Sequence, residues 1–381
     1  MPGSLEPQEL TSLIEAYSSF GIHRTGWEGD ERTSDWTVAW LRAAGVEAEK
    51  SAFEFPLVVT KSAYVEVAGR RFEGTPLYDG GATGATPVFA PLARPDNNVA
   101  GRLVIVEEPG SLRRLLEEPT GEARPAGVIA VSGDPDGNII LRNAERIDRP
   151  FDLPVLQLAA RDATLVLEVA RTGVTAGLVV DKEALRATAT NVVARLKGTS
   201  RDGLVVLMTP KSGWFTCAAE RGGGIAIAMA LARYLAQRPD RRKDLLILFT
   251  GGHEVGHYGL RSYLRDHPEV LDRGELWVHL GASIGAKHPT GSRLFSREDE
   301  WLSLAMSAFL RRGAAPVALA DKDVRPGGEA REVFDRPFVS LAGGHTYFHS
   351  PNDVPAVAVD GERVARFGRA FQDILERAVL Y

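Results

Sequence analysis

The chain has 381 residues, which is too long for one compact core and suits about two domains. Hydrophobic residues make up 44% and charged residues 25%, and the net charge is -5, so neither nucleic acid nor an anionic membrane is expected as a partner. No apolar window is long enough for a membrane span, a signal peptide is not expected, and the single cysteine, Cys217, suits a reducing compartment, which together predict a cytoplasmic protein.

The first part of the chain carries two helical patterns. Apolar residues at helical spacing predict a helix over residues 9–19. A second helix is predicted over residues 34–44 and ends at Gly45, a residue type that commonly follows a helix. The segment 23–31 between them is predicted to be turn-rich.

Residues 50–185 are predicted to form a β-rich insert. Short strands alternate with Pro- and Gly-rich turns, and one amphipathic helix is expected over residues 160–172. The first two strands are expected to form a hairpin. The predicted strands are 53–60, 62–67, 102–107, 127–132, 154–158 and 175–180.

From about residue 190 onward, strand and helix patterns alternate. This alternation predicts an α/β domain with a doubly wound, mostly parallel sheet covered on both faces. Ligands bind such sheets outside the carboxyl ends of the strands, which places a site near residues 209–221, 251–257 and 282 onward. The predicted strands are 191–196, 204–208, 244–250, 276–280 and 337–341, and the predicted helices are 224–236, 258–266, 298–311 and 360–379.

Several segments, in shared order and spacing, resemble the di-zinc aminopeptidase family, which includes bacterial leucyl aminopeptidases, glutamate carboxypeptidase and glutaminyl cyclases. They are the opening loop and helix at 25–45, the strand at 191–194, the segment 249–259 (similar to Phe-Asp-Gly-Glu-Glu-x-Gly) and the segment 348–353 (similar to Tyr-His-Thr-Pro-x-Asp). The resemblance implies a zinc-exopeptidase type domain of residues 1–49 and 186–381. It also implies a protease-associated-like insert of residues 50–185, which we expect to cover the mouth of the site.

The resemblance further implies a depleted metal site. The family holds two zinc ions with a bridging aspartate, and a glutamate base lies beside a glutamate ligand. Glu254 and His349 alone retain ligand positions, so either no metal or a single divalent ion, zinc being the expected one, is predicted. The replacements are Thr209-Pro210-Lys211 for His-x-Asp, Ala219 for the bridging aspartate, His253 for the glutamate base and Gly281-Ala282-Ser283 for Leu-Asp-Met.

Residues 253–257 also spell the H-E-x-x-H pattern of zinc proteases. In those enzymes the motif lies inside a helix, whereas here it follows a predicted strand through Gly251-Gly252 and contains Gly256. A loop after a strand favours the aminopeptidase alignment. The structural alternative is that His253 and His257 hydrogen-bond the loop.

Two cationic residues occupy positions at the strand ends that are acidic or face the metals in the aminopeptidase family. Fixed cations such as Lys211 and Arg221 bind carboxylates or oxyanions, and Arg221 precedes glycines at a helix start, where free N–H groups favour anions. The alternative is that Arg221 pairs with Glu220 or Glu254. Cys217 is either a nucleophile or, as a lone cysteine usually is, a small buried hydrophobe.

We therefore predict an enzyme with hydrolase- or amide-type chemistry on a small carboxylate- or amide-bearing, or short peptide-like, substrate. It is not expected to be a standard di-zinc aminopeptidase, and the alternative is a non-catalytic relative that binds a ligand or partner. The predicted acid–base pair is His253 with Glu254. The other predicted catalytic residues are Lys211 and Glu220, and the predicted substrate-binding residues are Arg221, Ser212, Thr209, Trp214, His257 and His345.

Overall fold

The structure is a computed structural model that describes residues 5–96, 98–117, 123–200, 203–314 and 318–381. The chain divides into two compact units, one of Met1–Phe55 with Thr188–Tyr381 and the other of Pro56–Ala187. The identity of the second unit as a protease-associated-like insert, and its role over the site, stay predictions.

The helices and strands are numbered in chain order. The helices are α1 Pro7–Ser18, α2 Glu28–Ala43, α3 Pro109–Glu117, α4 Ala160–Val169, α5 Gly223–Ala236, α6 Tyr258–Asp266, α7 Glu269–Arg273, α8 Asp299–Arg311, α9 Pro355–Ala358 and α10 Gly361–Leu380. The strands are β1 Glu47–Val67, β2 Arg70–Glu73, β3 Thr75–Pro76, β4 Gly84–Ala93, β5 Leu103–Val106, β6 Gly127–Ser132, β7 Val155–Ala159, β8 Thr175–Leu196, β9 Leu204–Pro210, β10 Asp244–Thr250, β11 Gly274–Leu280, β12 Pro289–Phe295, β13 Ala318–Leu319 and β14 Phe338–His345. A π-helical turn, Ala218–Gly222, leads into α5, and a 3-10 helix, Gly328–Val333, precedes β14.

The first unit is built on a mostly parallel sheet. Its strand order is β13-β12-β14-β11-β9-β10-β8. The neighbours β14, β11, β9 and β10 run parallel, whereas β8 pairs antiparallel with β10 and β12 antiparallel with β14. The predicted mostly parallel α/β sheet is therefore confirmed.

Both faces of this sheet are buried by apolar packing. Val205 and Leu207 of β9 belong to a core that includes residues of α1, α5 and α10. Val206 and Met208, which alternate with them, pack on the other face with Leu260 of α6. Because a strand covered on both faces needs apolar side chains at every position, β9 appears in the sequence as a continuous hydrophobic run.

Two long strands were divided in the sequence-based prediction. The predicted strands 53–60 and 62–67 are parts of β1, and 175–180 and 191–196 are parts of β8. The hairpin forms instead between β1 and β2. The middle of β8 is polar and largely exposed, so it lacks the apolar alternation by which a strand is recognised.

Helix α2 begins earlier than predicted, at Glu28 rather than residue 34, so the predicted turn-rich segment is wrong at its end. The acidic residues of its first turn stabilise a helix N-terminus, but Gly29 is a residue type typical of turns and led to the turn prediction. A Cβ at Gly29 would lie 2.2 Å from the Ile22 carbonyl oxygen, so the close packing of the preceding loop requires glycine. This early start places Asp30 inside the helix.

The second unit has its own sheet and core. Strands β4, β5, β6 and β7 run parallel, and β3 pairs antiparallel with β7. Its core includes Val65, Ile105, Ile129 and Leu156. The expected β-rich insert thus also contains α3, which the prediction missed, besides α4. In the described part of the chain, no helix is long and apolar enough to cross a membrane.

Candidate functional site

Buried polar side chains gather at the carboxyl ends of the parallel strands of the first unit, where ligands bind in sheets of this type. They come from the ends of β9, β10, β11 and β14 and from the segments that follow or precede them. The residues concerned are Lys211, Ser212, Glu220, Arg221, Thr250, His253, Glu254, His279, Ser283, Glu329, His345, His349 and Asp353.

The backbone is strained at the same edge. Cys217, His257, Ser283 and His349 have φ angles of 54°, 54°, 65° and 59°. Left-handed φ angles cost about 1–3 kcal/mol for residues with a side chain and cluster at functional sites. In the described part of the chain the other such residue is Ala68. The strand ends are therefore the most strained region of the described backbone.

The Glu254 carboxylate accepts three hydrogen bonds. Thr25 donates its N–H at 2.6 Å and its hydroxyl at 2.7 Å to Oε1, and the Ser212 hydroxyl donates to Oε2 at 2.8 Å. These bonds tie the loop before α2 to the strand ends. No hydrogen bond joins Glu254 to the His253 ring among the described residues, and the predicted acid–base role of these two stays a prediction.

Lys211 forms a buried ion pair. Its ammonium bonds the Asp30 carboxylate of α2, and both side chains are at most 1% exposed. Burial raises the pKa of Asp30 to about 6, although Lys211 opposes the rise. Tyr17 donates its hydroxyl to the Lys211 carbonyl at 3.0 Å. The ammonium is thus engaged within the protein, and the predicted catalytic role of Lys211 has no support in its contacts.

Arg221 and Glu220 form a second buried ion pair, the alternative left open for Arg221. Arg221 Nη2 lies 2.6 Å from Glu220 Oε1, and its Nε–H donates to the Ser212 carbonyl at 3.0 Å. His349 Nε2 lies 3.3 Å from the same Glu220 oxygen. Burial favours a higher pKa for Glu220, but Arg221 and His349 outweigh it and hold this pKa well below the usual range. Glu220 Oε2 and Arg221 Nη1 are buried without a hydrogen-bond partner among the described residues.

The residues present do not fit a pair of zinc ions. The guanidinium of Arg221 already neutralises Glu220, the carboxylate beside the position of the family's bridging aspartate. Glu254, one of the two retained ligand positions, has both carboxylate oxygens hydrogen-bonded by Thr25 and Ser212. Across the described residues, no group of three or more His, Cys, Asp or Glu is arranged to hold a metal ion.

His253 is held by a glutamate that the sequence did not reveal. The fully buried Glu329 of the 3-10 helix lies 3.0 Å from His253 Nδ1 and 3.5 Å from His279 Nε2, and it accepts the Thr250 hydroxyl at 3.0 Å. Burial, helped by Arg221, lowers the pKa of His253 to about 4. Burial alone favours a higher pKa for Glu329, but His253 and His279 hold it well below its usual range.

These charges determine the protonation state and the tautomer of the His253 ring. A neutral imidazole beside an ionised glutamate carries its proton on Nδ1, so the lone pair is on Nε2. In the described part of the chain no residue hydrogen-bonds Nε2, and the side chain is 8% exposed. His253 is therefore an oriented base with an available nitrogen.

The sequence-based prediction missed Glu329 because this residue lies in a Gly- and Pro-rich segment that matches none of the aminopeptidase or zinc-protease motifs. The available signal was the glycine pair before it. Gly328 has a φ of 69°, and a Cβ there would lie 3.2 Å from His279 and 3.4 Å from His253. Glycine is needed because the backbone approaches both rings closely.

The H-E-x-x-H pattern does not form a helical ligand pair. Helix α6 begins at Tyr258, after the pattern, and His257 is its N-cap. His257 Nδ1 lies 3.0 Å from Glu332, whereas His253 bonds Glu329. The two histidines therefore pair with separate glutamates of the 3-10 helix rather than with the loop that carries them.

Several predicted site residues bond or pack within the protein. Thr209 donates to the Leu280 carbonyl at 2.9 Å, which joins β9 to β11. Trp214 is 4% exposed and has the Arg24 guanidinium 5.3 Å from its ring centroid. Cys217 is fully buried, and burial raises the pKa of its thiol well above the usual value, as expected of a small buried hydrophobe.

His345 lies between a serine and an aspartate. Its Nδ1 is 2.9 Å from the Ser283 hydroxyl, and its Nε2 is 3.4 Å from Asp353. The sequence predicted substrate binding for His345 but did not connect it with Ser283. The missed signal was the spacing of glycines around that serine, Gly281-Ala282-Ser283-Ile284-Gly285.

His23 supplies a prediction on acid stability. It is buried, stacks on Tyr17 at 3.9 Å and has Lys211 as a nearby cation. Burial lowers the pKa of His23 to about 4, with Lys211 assisting and the carbonyls of Phe215 and Tyr17 opposing. In the unfolded chain the pKa of a histidine is near 6.5, so as the pH falls the unfolded state binds a proton at a higher pH than the folded state does. The stability that neutral His23 contributes above pH 6.5 is therefore lost as the pH falls toward 4. The full loss corresponds to about 3 kcal/mol.

Urea unfolding of wild type and His23→Gln at pH 7 and pH 4.5 measures this loss. We expect the wild type to lose more stability than the variant over that interval. Asp30, whose raised pKa acts with the opposite sign, is present in both proteins and cancels in the comparison. Equal pH dependence in the two proteins would refute the assignment, and His267→Gln, at a more exposed histidine, is the matched control.

The fold matches solved structures over nearly the whole chain. BSAP, a zinc aminopeptidase from Bacillus subtilis, superposes with a TM-score of 0.79 at 14% identity, covering 100% of this chain and 96% of that one. A peptidase M28 precursor from Shewanella amazonensis gives a TM-score of 0.75 at 19% identity, covering 96% and 91%. A glutaminyl cyclase from Porphyromonas gingivalis gives 0.55 at 12% identity, covering 98% and 99%.

No family model and no curated protein sequence matches the chain. The resemblance to the zinc aminopeptidases and glutaminyl cyclases is confirmed as a shared fold. The polar residues at the strand ends of this chain therefore lie on a peptidase-like scaffold.

Proposed function

We propose that the protein is a metal-independent hydrolase in which His253 activates a water molecule for attack on a small amide- or carboxylate-bearing substrate. The observation that carries the proposal is the His253–Glu329 pair at the strand ends. Nδ1 is bound to a buried carboxylate and Nε2 is available, an arrangement that orients a histidine as a general base. His253 also stands where the resemblance places the family's glutamate base.

The chemistry uses one proton transfer in each direction. His253 Nε2 takes a proton from water as the water oxygen bonds the substrate carbonyl carbon. The imidazolium that forms is stabilised by Glu329, and it returns the proton to the leaving nitrogen as the C–N bond breaks. Positioned general bases contribute about 10²–10⁴-fold to rate.

Arg221 supports the same proposal. Its Nη1 is buried without a hydrogen-bond partner among the described residues, and its positive charge adds to the effect of burial in lowering the pKa of His253. A fixed cation near a developing oxyanion stabilises it in a site shielded from water. Glu220, the carboxylate paired with Arg221, acts in this proposal as its positioning partner.

An amide-type substrate is favoured by the names of the structural neighbours, an aminopeptidase and a glutaminyl cyclase. We propose a small-molecule or short peptide-like substrate, no nucleic acid or membrane partner and a cytoplasmic setting. The single cysteine, Cys217, supports the reducing compartment. The competing proposal, a non-catalytic binding protein, is favoured by the ion pairs that engage Lys211 and Arg221 inside the protein.

Amide turnover after treatment with a chelator tests the proposal. The panel contains aminoacyl and acyl p-nitroanilides, dipeptides and peptides with N-terminal glutamine. We expect turnover that persists after dialysis against the chelator, falls about 100-fold or more in His253→Gln and falls less in Glu329→Gln. His267→Gln, at a half-exposed histidine outside the site, should match wild type.

Three outcomes would contradict it. Loss of turnover on chelation with recovery on added zinc would assign the chemistry to a metal. Wild-type rates in His253→Gln would place the base elsewhere. No turnover with any member of the panel would favour the non-catalytic binding protein.

A further inference from the structure

Three side chains outside the His253–Glu329 pair lie next to one another at the ends of β11 and β14. Ser283 Oγ lies 2.9 Å from His345 Nδ1, within hydrogen-bond distance. His345 Nε2 lies 3.4 Å from Asp353 Oδ1, which is an ion-pair distance without a hydrogen bond. A serine, a histidine and an aspartate in this order form the arrangement that activates a serine hydroxyl.

Asp353 is fixed by the backbone of the π-helical turn. Its two carboxylate oxygens accept the N–H groups of Ala219 at 2.8 Å and Glu220 at 3.0 Å. A carboxylate beside Nε2 of His345 favours the proton on that nitrogen, which leaves the Nδ1 lone pair for the Ser283 hydroxyl. The two ring nitrogens are exchanged relative to serine proteases, but a triad is recognised by geometry and roles.

The backbone at Ser283 has the form that exposes a nucleophile. Residues 281–285 read Gly-Ala-Ser-Ile-Gly and follow β11 directly, which matches the G-x-S-x-G pattern of a sharp turn after a strand. Ser283 has a φ of 65°, in the strained left-handed region. Its N–H donates to the Glu220 carbonyl at 3.1 Å, which helps to hold this conformation.

The flanking glycines are required by close packing. A Cβ at Gly281 would lie 2.8 Å from the Leu341 carbonyl oxygen. A Cβ at Gly285, whose φ is 83°, would lie 2.2 Å from a side-chain carbon of Val364. The segment leads on to β12 rather than to a helix, which is a difference from the usual setting of the pattern. The turn itself is retained.

A donor for an oxyanion follows the serine. In G-x-S-x-G turns, the N–H of the residue after the serine binds the developing negative oxygen. Here that residue is Ile284, and no acceptor bonds its N–H in the described part of the chain. The N–H therefore remains available for an oxygen bound to the carbon under attack.

We propose that Ser283, His345 and Asp353 form a nucleophilic centre that cleaves small carboxylic esters. The Ser283 oxygen bonds the ester carbonyl carbon as its proton passes to His345 Nδ1. The C–O bond to the alcohol breaks, and the alcohol leaves with that proton. Water then attacks the acylated serine by the same route and releases the acid. Ser283 is 3% and His345 4% exposed, so the acyl group must be small.

The centre is independent of the water-activating role proposed for His253, because its three residues are different. Its test uses methanesulfonyl fluoride, a probe small enough for the buried centre, followed by intact mass and peptide mapping. The serine oxygen bonds sulfur, fluoride leaves and the hydroxyl proton passes to His345. We expect one covalent adduct per chain on Ser283, no adduct in Ser283→Ala, and labelling at least 10-fold slower in His345→Gln and Asp353→Asn.

Hydrolysis of p-nitrophenyl acetate is the second readout. We expect it to fall in Ser283→Ala in step with labelling, whereas Ser262→Ala, at another buried serine, should match wild type in both. His253→Gln should lose amide turnover yet keep the Ser283 adduct, which separates failure of this centre from failure of the His253 proposal. Circular dichroism and melting temperature report whether each variant is folded. An absent adduct, an adduct on another residue, or unchanged labelling in a folded His345→Gln would overturn the proposal.

Discussion

Replacing Lys211 with alanine is expected to destabilise the folded protein by about 3–5 kcal/mol. The substitution leaves the Asp30 carboxylate buried without its cation, since both side chains of the pair are at most 1% exposed. The Lys211 backbone is unaffected, so its N–H to the Thr250 carbonyl and its carbonyl to Tyr17 are retained. Urea unfolding at pH 7 measures the loss.

Asp30 provides the internal test of this explanation. The pKa of its carboxyl is already raised to about 6 by burial, and loss of Lys211 removes the main opposing group. Lys211→Met combined with Asp30→Asn removes both charges and should recover most of the stability, because the unpaired charge is what costs. Lys50→Ala is the control at an exposed pair, for which about 1 kcal/mol or less is expected. A loss of stability in Lys211→Ala no larger than that in Lys50→Ala would contradict the prediction.

The regular elements of the first unit were predictable because their signals are local. β9 and β10 are apolar runs in the sequence, and α5 and α10 carry helical spacing along their whole length. The carboxyl ends of these strands then followed from the parallel sheet. The extended middle of β8 escaped prediction since its exposed polar residues have no pattern that distinguishes a strand from a loop.

The pairing of charges at the site could not be predicted from local sequence. Lys211 and Asp30 are 181 residues apart, and His253 and Glu329 are 76 apart. Lys211 at a strand end is equally compatible with a bound anion and with an internal carboxylate. The choice depends on α2 beginning early enough to place Asp30 opposite the strand ends. The fold brings these partners together, and no spacing in the chain indicates them.

Replacing Arg221 with methionine is expected to cost about 3–5 kcal/mol at neutral pH. Glu220 is then buried as a charge without its cation, and the Ser212 carbonyl loses the Arg221 Nε–H donor. Methionine keeps much of the side-chain volume, so the loss reports charge more than packing. Glu220→Gln with Arg221→Met should recover much of the stability, and Arg238→Met at an exposed pair should cost about 1 kcal/mol or less.

The pH dependence of this loss identifies its cause. In wild type Arg221 and His349 hold the pKa of Glu220 well below its usual range, so the stability that this carboxylate contributes is present above the unfolded pKa, near 4.3, and is lost as the pH falls below it. In Arg221→Met the main opposing charge is gone and burial raises the pKa of Glu220. The variant then regains stability as the pH falls through that raised pKa, because the folded state takes up a proton that the unfolded state does not yet bind. We therefore expect the difference between wild type and Arg221→Met to be largest near pH 7 and to narrow toward pH 5. A difference that stays constant between these pH values would show that the Glu220 charge is not what Arg221 stabilises.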